Sequence, residues 1–152
     1  MCEVEERFIR SAIALARQSQ QHGNHPFGAI LVLDDVIILE AENTVMTGNN
    51  PTEHAEMNLI NLAWKQFTKE QIERCILYTS CEPCPMCTGA IFWSGIRKIV
   101  FALQAVTLGN LANDKFCCPC SSLLDRAHTK TEIVGPILED EAIVDHLDFW
   151  NH

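Results

Sequence analysis

The stretch YTSCEPCPMCTGAIFW, residues 78–93, decides how the chain is organised, because it joins the end of a strand to the start of a helix. The apolar residues before and including Tyr78 predict a short strand. Pro83 and Pro85 then favour the first positions of a helix, which Gly95 ends. Three cysteines fall within this junction, which makes it a candidate metal site.

Two of these cysteines are placed to share one metal ion. Cys84 and Cys87 are three residues apart, and residues at this spacing lie on the same face of the first turn of a helix. The N-terminus of a helix also carries partial positive charge, which favours a thiolate over a thiol. Cys81 precedes the helix and is interpreted as a small buried residue at the end of the strand.

A second motif, HAE at residues 54–56, opens another predicted helix and supplies a third ligand. His54, Cys84 and Cys87 give three protein ligands, whereas zinc prefers four, so the remaining position is open to water. Such an open position is typical of a catalytic site rather than a structural one. Glu56 is then a carboxylate placed to move protons at that water.

Other metal arrangements are compatible with the eight cysteines of the chain. A structural zinc ribbon would use four thiolates, but it leaves the HAE motif without a role; its ligands would be Cys81, Cys84, Cys117 and Cys120. The cysteines of CCPC, residues 117–120, are either a second weak metal site or incidental thiols. The remaining histidines have no ligand-like neighbours in the sequence, namely His22, His25, His128, His146 and His152.

The rest of the chain predicts further helices and strands. Apolar residues at three- and four-residue spacing from Val4 predict a first helix that runs to about Gly23. HPFGAILVLDDVIILEAEN predicts a hairpin that turns at Asp34 and Asp35. IRKIVFAL and TEIVGPIL predict strands, and EDEAIVDHLDFW predicts a last helix. Residues 102–130 are the least readable part of the chain, and Gly109, Asn110, Asn113 and Asp114 suggest a loop near CCPCSSLL. We therefore expect an α/β fold, a three-layer α/β/α sandwich with a mixed central sheet.

Composition limits the class of protein. The chain has 152 residues, which suits a single domain, 1–152, and its first ten residues are charged, unlike an export signal. No apolar run approaches the ~20 residues needed to span a bilayer, so we expect a cytoplasmic protein with reduced thiols and no membrane partner. The formal net charge of -9 has the wrong sign for nonspecific attraction to nucleic acids, so polyanionic partners are disfavoured.

The segments PFGAILV, NPTEHAE and LYTSCEPCPMCTGAIFWSGIRKIVF, with their spacing, resemble the cytidine deaminase-like superfamily over roughly residues 3–103. Within it, the resemblance is to the branch of guanine deaminases and tRNA adenosine deaminases. The resemblance implies the sandwich fold, hydrolytic removal of an amino group from an aminated ring, and one Zn²⁺ per chain held by His54, Cys84 and Cys87. Glu56 matches the residue that shuttles protons.

The resemblance also implies substrate contacts. Asn43 matches an asparagine that hydrogen-bonds the base, and the backbone amide of Ala55 matches one that faces the ring. Phe27 and Trp93 match positions that line the pocket, with core packing as the alternative for each. Asp114 matches an acidic residue that reads the guanine edge, although ANDKFCCPC departs from the family pattern.

Two substrates compete within this branch. Phe27, the acidic charge and a terminal LDFWN that resembles an aromatic lid favour deamination of guanine to xanthine. The layout of the last segments resembles the tRNA adenosine deaminases, which convert adenosine to inosine, but the last sixteen residues contain no Lys or Arg. Other aminated rings, including cytosine, remain compatible. A zinc-stabilised binding module without catalysis is the alternative from another class, and the resemblance implies a homodimer.

Overall fold

The computed structural model describes residues 3–113 and 116–151, which form eight helices and five strands. In chain order the elements are α1 (Glu3–Gln21), β1 (Gly28–Leu33), β2 (Val36–Glu42), α2 (Val45–Gly48), α3 (Ala55–Gln66), α4 (Lys69–Glu73), β3 (Ile76–Cys81), α5 (Pro85–Ser94), β4 (Lys98–Leu103), α6 (Ala105–Ala112), α7 (Cys120–Leu124), β5 (Glu132–Val134) and α8 (Glu139–Trp150). None of the described helices is long and apolar enough to cross a membrane. The cytoplasmic location stays a prediction.

The five strands form one mixed sheet in the order β2-β1-β3-β4-β5. β1 is antiparallel to β2 and β3, whereas β3, β4 and β5 run parallel. Parallel neighbours need crossover connections, which α5 supplies between β3 and β4, and α6 and α7 supply between β4 and β5. The carboxyl ends of β3 and β4 therefore meet at one edge of the sheet, where the cysteine motif begins.

Helices cover both faces of the sheet. Along β1, Ala29 and Leu31 pack into the core formed with α3, α4, α5 and α7, and Ile30 and Val32 pack into the core formed with α1 and α8. This alternation is the two-residue period of a strand that is buried on both faces. The architecture confirms the predicted three-layer α/β/α sandwich with a mixed central sheet.

Two short backbone features shape the hairpin. Asp34 and Asp35 form the predicted turn between β1 and β2 with φ values of +51° and +61°, the left-handed backbone of a tight type I′ turn, which aspartate tolerates better than most residues. Gly28 begins β1 where α1 passes over it, and a Cβ there would collide with the backbone of Ala12 and Ala16. This glycine lets α1 lie directly on the strand.

The loop predicted near CCPCSSLL is wrong in part, because Gly109 and Asn110 lie in α6 and Cys120 begins α7. Gly109 favours a loop in sequence, yet it is buried inside α6. Asn113 caps the end of α6 with a left-handed φ of +53°, a common role for asparagine. α6 packs against α8, so tertiary contacts compensate for the weak helix propensity of glycine.

Candidate metal centre and active site

Two helix N-termini bring the predicted metal ligands together. His54 is the N-cap of α3, Cys84 is the N-cap of α5, and Cys87 lies in the first turn of α5. His54 Nδ1 lies 3.6 Å from Cys84 Sγ and 3.5 Å from Cys87 Sγ. Across the described ranges, this is the one group of three or more His, Cys, Asp or Glu residues whose ligand atoms lie within 4.8 Å of one another.

The arrangement fits a tetrahedral zinc ion. With Zn–S of about 2.3 Å and Zn–N of about 2.05 Å, tetrahedral angles place the nitrogen and sulfur atoms about 3.6 Å apart, and both measured separations agree with this value. The pKa of Cys84 is lowered to about 4, chiefly by its hydrogen bond with Cys87 and also by His54. The neighbouring Cys84 and burial raise the pKa of Cys87, so a cation is needed before both sulfurs ionise.

Glu56, the predicted proton shuttle, lies in the first turn of α3 and lines the cavity beside these ligands. Burial raises the pKa of Glu56 to about 7, and the charge of Cys84 adds to the shift. A carboxyl group with a pKa near neutrality can both accept and deliver a proton at the working pH. Glu56 therefore has the property that a proton shuttle needs.

The metal ligands open into a cavity of about 450 Å³, a volume typical of small-molecule sites. The rest of the cavity wall comes from elements that are distant in sequence: it includes His25, Phe27, Asn43, Leu108, Gly109, Ala112, Phe116, Cys117 and Trp150. The described lining residues carry the carboxyl groups of Glu56 and Glu82 but no lysine or arginine. The described part of the cavity lining thus offers no lysine or arginine to a phosphate group.

Two of the predicted substrate contacts, Asn43 and Phe27, line the cavity. The backbone N–H of Val45 donates to Asn43 Oδ1 at 3.0 Å, which fixes the side chain and leaves its NH₂ group as a donor. Phe27 packs edge-on against His146, with ring centroids 5.1 Å apart. The methyl group of Ala55 is buried in the core, and its backbone N–H, the first of α3, has no acceptor within the helix.

The structure corrects the prediction for Trp93, which is 79% exposed and lies neither at the cavity nor in the core. Helical geometry gives the reason. Trp93 follows Cys84 by nine residues, and at about 100° per residue this places it on the opposite side of α5 from the ligand. Its ring packs edge-on against Phe92, with centroids 5.1 Å apart. Asp114 lies outside the described residues, and its role as a reader of the guanine edge stays a prediction.

Sequence reasoning did not place His25 in the site. Its ring lines the cavity and packs against Phe149 and Trp150, with centroid distances of 5.5 and 6.0 Å. Burial lowers the pKa of His25, and the proximity of His54 adds to this, so its imidazole is neutral at pH 7. The position of His25 two residues before Phe27 was the signal available in the sequence.

The terminal LDFWN segment reaches the cavity through Trp150 of the same chain. Trp150 Nε1 donates a hydrogen bond to His146 Nδ1 at 3.1 Å. Three polar side-chain pairs connect α8 to α1, namely Arg10 with Glu141, Arg17 with Asp145 and Gln20 with Asp148. Two of the acidic side chains of α8, Glu141 and Asp145, are therefore paired with arginines of α1.

We expect acid to destabilise this wall through His146, which is 1% exposed. Burial lowers the pKa of His146 to about 4 from its ordinary value of 6.5. Between these pH values the unfolded chain binds a proton that the folded chain resists, so this stability is complete above pH 6.5 and falls as the pH drops toward 4. The expected loss in the free energy of unfolding is at most about 3 kcal/mol.

Urea unfolding of the wild type and of H146Q at about pH 7.5 and about pH 4.5 measures this loss. Equal losses in both proteins would contradict the assignment to His146.

The four-thiolate ribbon is absent from the part of the chain that the structure describes. Cys81 is buried at the end of β3, as predicted, and burial raises the pKa of its thiol. Cys120 is buried at the start of α7, and Cys117 is exposed at the cavity. Cys81, Cys117 and Cys120 do not belong to the described cluster of possible metal ligands.

The model of the cytidine and deoxycytidylate deaminase zinc-binding region matches residues 2–103, which contain the three candidate ligands and Glu56. The chain belongs to this family of zinc-dependent deaminases. It is therefore a hydrolase that removes an amino group and uses zinc, and the alternative of a binding module without catalysis is set aside.

Three relatives share this chemistry but carry different substrates in their names. A probable cytosine deaminase of Schizosaccharomyces pombe is 41% identical over 157 residues, covering 99% of this chain and 95% of that protein. The guanine deaminase of Bacillus subtilis is 46% identical over 100 residues, covering 65% of this chain and 64% of that protein. An X-ray structure of guanine deaminase from that species has a TM-score of 0.67 at 34% identity, over 97% of this chain and 94% of the other. A tRNA-specific adenosine deaminase of B. subtilis is 33% identical over 143 residues, covering 90% of this chain and 83% of that protein.

Proposed function

We propose that this enzyme deaminates a free aminated nucleobase. One observation carries the proposal: the cavity above the metal ligands is small, is walled by aromatic and apolar side chains, and has no lysine or arginine among its described lining residues. Such a cavity suits a neutral planar ring, and its described lining residues lack the lysine or arginine that commonly binds a phosphorylated substrate.

The chemistry follows from the side chains at the base of the cavity. His54, Cys84 and Cys87 would hold zinc, which when bound lowers the pKa of a water molecule and so supplies the nucleophile. The carboxylate of Glu56 takes a proton from the attacking water and delivers protons to the ring nitrogen and to the departing amine. A C–O bond forms, the C–N bond breaks, ammonia leaves, and the ring keeps a carbonyl group.

Two side chains orient the ring in this scheme. The NH₂ group of Asn43, fixed through its bond to Val45, donates a hydrogen bond to an acceptor on the base. Phe27 packs on the base and keeps water from it, because its own ring is held by His146. The backbone N–H of Ala55 faces the developing charge from the start of α3.

Cytosine is the first substrate to test, and guanine is the second. The similarity to the probable cytosine deaminase runs over 99% of this chain and so includes α6 and α8, which contribute residues to the cavity wall. The sequence similarity to guanine deaminase is higher in identity but covers 65% of the chain. The tRNA alternative is disfavoured because the chain has a net charge of -9 and the cavity lining has no described basic residue.

Ammonia release from a panel of substrates tests the proposal. The panel contains cytosine, guanine, adenine, their nucleosides and an anticodon stem-loop RNA, each assayed with wild-type protein and with Glu56→Ala as the blank. We expect release from a free base and none from the RNA. Release from the RNA alone would contradict the proposal and assign the enzyme to tRNA editing.

We also propose that the enzyme is a homodimer. Large apolar side chains are exposed on the described surface, among them Trp93 at 79% and Trp64 at 56%, and apolar surface of this kind marks sites of association. Sedimentation equilibrium that gives twice the mass of one chain supports the dimer, and the mass of one chain at every concentration contradicts it.

A further inference from the structure

We propose that Glu82 is a positioning residue that fixes the substrate-facing wall of the cavity to the metal motif. Glu82 belongs to the CEPC sequence, two residues before the ligand Cys84, yet neither the metal centre nor the proton transfer described above uses it. The proposal rests on the proposed deamination only for its kinetic readout.

The carboxylate of Glu82 connects the N-termini of two helices. The backbone N–H of Ala105 in α6 donates to Oε1 at 3.0 Å, and the backbone N–H of Cys120 in α7 donates to Oε2 at 2.8 Å. Glu82 is 8% exposed, so water does not compete freely for these bonds. Each oxygen thus satisfies an amide that has no acceptor within its own helix.

These two helices flank the segment that supplies five of the described residues that line the cavity. α6 places Leu108, Gly109 and Ala112 on the cavity, and Phe116 and Cys117 line it just before α7 begins. Between the two helices the chain has no other strand or helix among its described residues. The two bonds to Glu82 therefore set the distance of both ends of this segment from the metal motif.

Glu82 is itself held firmly. Its backbone N–H donates to the carbonyl of Leu103 at 2.7 Å, which ties the residue after β3 to the end of β4. The carboxylate consequently extends from the edge of the sheet that also presents Cys84. A substrate binds between the wall and the metal ligands, so any change in the distance that Glu82 sets between them would change its affinity.

The chemistry of the site demands a carboxylate. Both of its oxygens accept hydrogen bonds, whereas a glutamine offers one oxygen and one NH₂ group, which would face a backbone N–H. Either Ala105 or Cys120 would then lose its acceptor and move away. Loss of one buried hydrogen bond therefore loosens one end of the wall.

Glu139 provides a matched control, because this carboxylate in α8 binds Gln104 at the same end of α6. Glu139 accepts bonds from the backbone N–H of Gln104 at 2.8 Å and from the Gln104 side chain at 3.3 Å. In Glu139→Gln the remaining oxygen still accepts from the backbone, and the side-chain amide of Gln104 can turn to offer its oxygen. This substitution therefore loosens neither α7 nor the cavity wall.

The test compares Glu82→Gln, Glu82→Asp and Glu139→Gln as zinc-loaded proteins. We expect KM for the best base of the panel to rise about tenfold in Glu82→Gln, with kcat changed less than threefold and zinc content unchanged. Hydrogen exchange is expected to quicken at the amides of 104–112 and 120–124 in this variant and to stay near wild type in Glu139→Gln. If Glu82→Gln does not fold, the same measurements on Glu82→Asp decide.

Two outcomes would overturn the proposal. Unchanged KM together with unchanged exchange in both segments would show that the bonds to Glu82 do not hold the wall. Loss of zinc in parallel with activity would assign Glu82 to the metal centre instead. Because hydrogen exchange needs no substrate, it tests the role of Glu82 even if no base in the panel is deaminated.

Discussion

Replacement of Glu56 by glutamine is expected to lower kcat by about 10²- to 10⁴-fold, the usual contribution of a positioned general acid and base. The amide keeps the size of the side chain but cannot exchange a proton with water, ring nitrogen or amine. Zinc content is expected to stay at one ion per chain, because Glu56 is not among the three clustered ligands. Steady-state ammonia release and metal analysis of the same preparation measure both effects.

The expected effect of Glu56→Gln on stability separates chemistry from folding. Burial raises the pKa of Glu56 to about 7, so the ionised carboxylate is costly in the folded protein. A neutral amide removes this cost, and the melting temperature is expected to stay the same or to rise. Glu70→Gln, at an exposed position in α4, serves as a control that changes charge without touching the cavity. Full activity in Glu56→Gln would remove Glu56 from the mechanism.

Replacement of Cys84 by serine is expected to reduce bound zinc from one ion per chain to nearly none and to abolish deamination. Cys84 is one of only three clustered ligands in the described chain, and it is the sulfur that ionises most readily. A hydroxyl group is a poor zinc ligand compared with a thiolate. Metal analysis after dialysis, with activity measured in parallel, tests the expectation.

Cys118→Ser is the matched control for the metal centre. Cys118 is half-buried and lies outside the described ligand cluster, so its substitution is expected to leave zinc and activity unchanged. Loss of zinc in Cys120→Ser, together with retention of zinc in a His54→Ala variant, would instead support the four-thiolate ribbon. The same experiment thus distinguishes the catalytic arrangement from the structural one.

The metal ligands were predictable because each depends on local sequence. His54 and Cys84 are N-caps, and Cys87 follows Cys84 by three residues on the same turn, so short motifs place each ligand on its own helix. The strand β3 and the turn at Asp34 and Asp35 were predictable for the same reason. Their periodicity and turn chemistry lie within a few neighbouring residues.

The wall of the cavity was not predictable in this way. Gly109 signals a loop in sequence but lies inside α6, where contacts with α8 outweigh its propensity. Trp93 is a residue type that often lines pockets, yet its angular position on α5 exposes its side chain to solvent. No short sequence motif predicts the tertiary contacts that His25 and Glu82 make in the fold.

The sequence by itself determined the class of chemistry, because the candidate zinc ligands and the proposed proton shuttle are encoded as residue types at fixed local spacing. It also determined the layered fold, because strand and helix periods are local properties. Only the tertiary structure decided which surfaces face the zinc motif. Glu82 joins β3 to α6 and α7, and Trp150 arrives from α8, through contacts between residues far apart in the chain. The shape of the cavity depends on those long-range contacts, which no short stretch of sequence specifies.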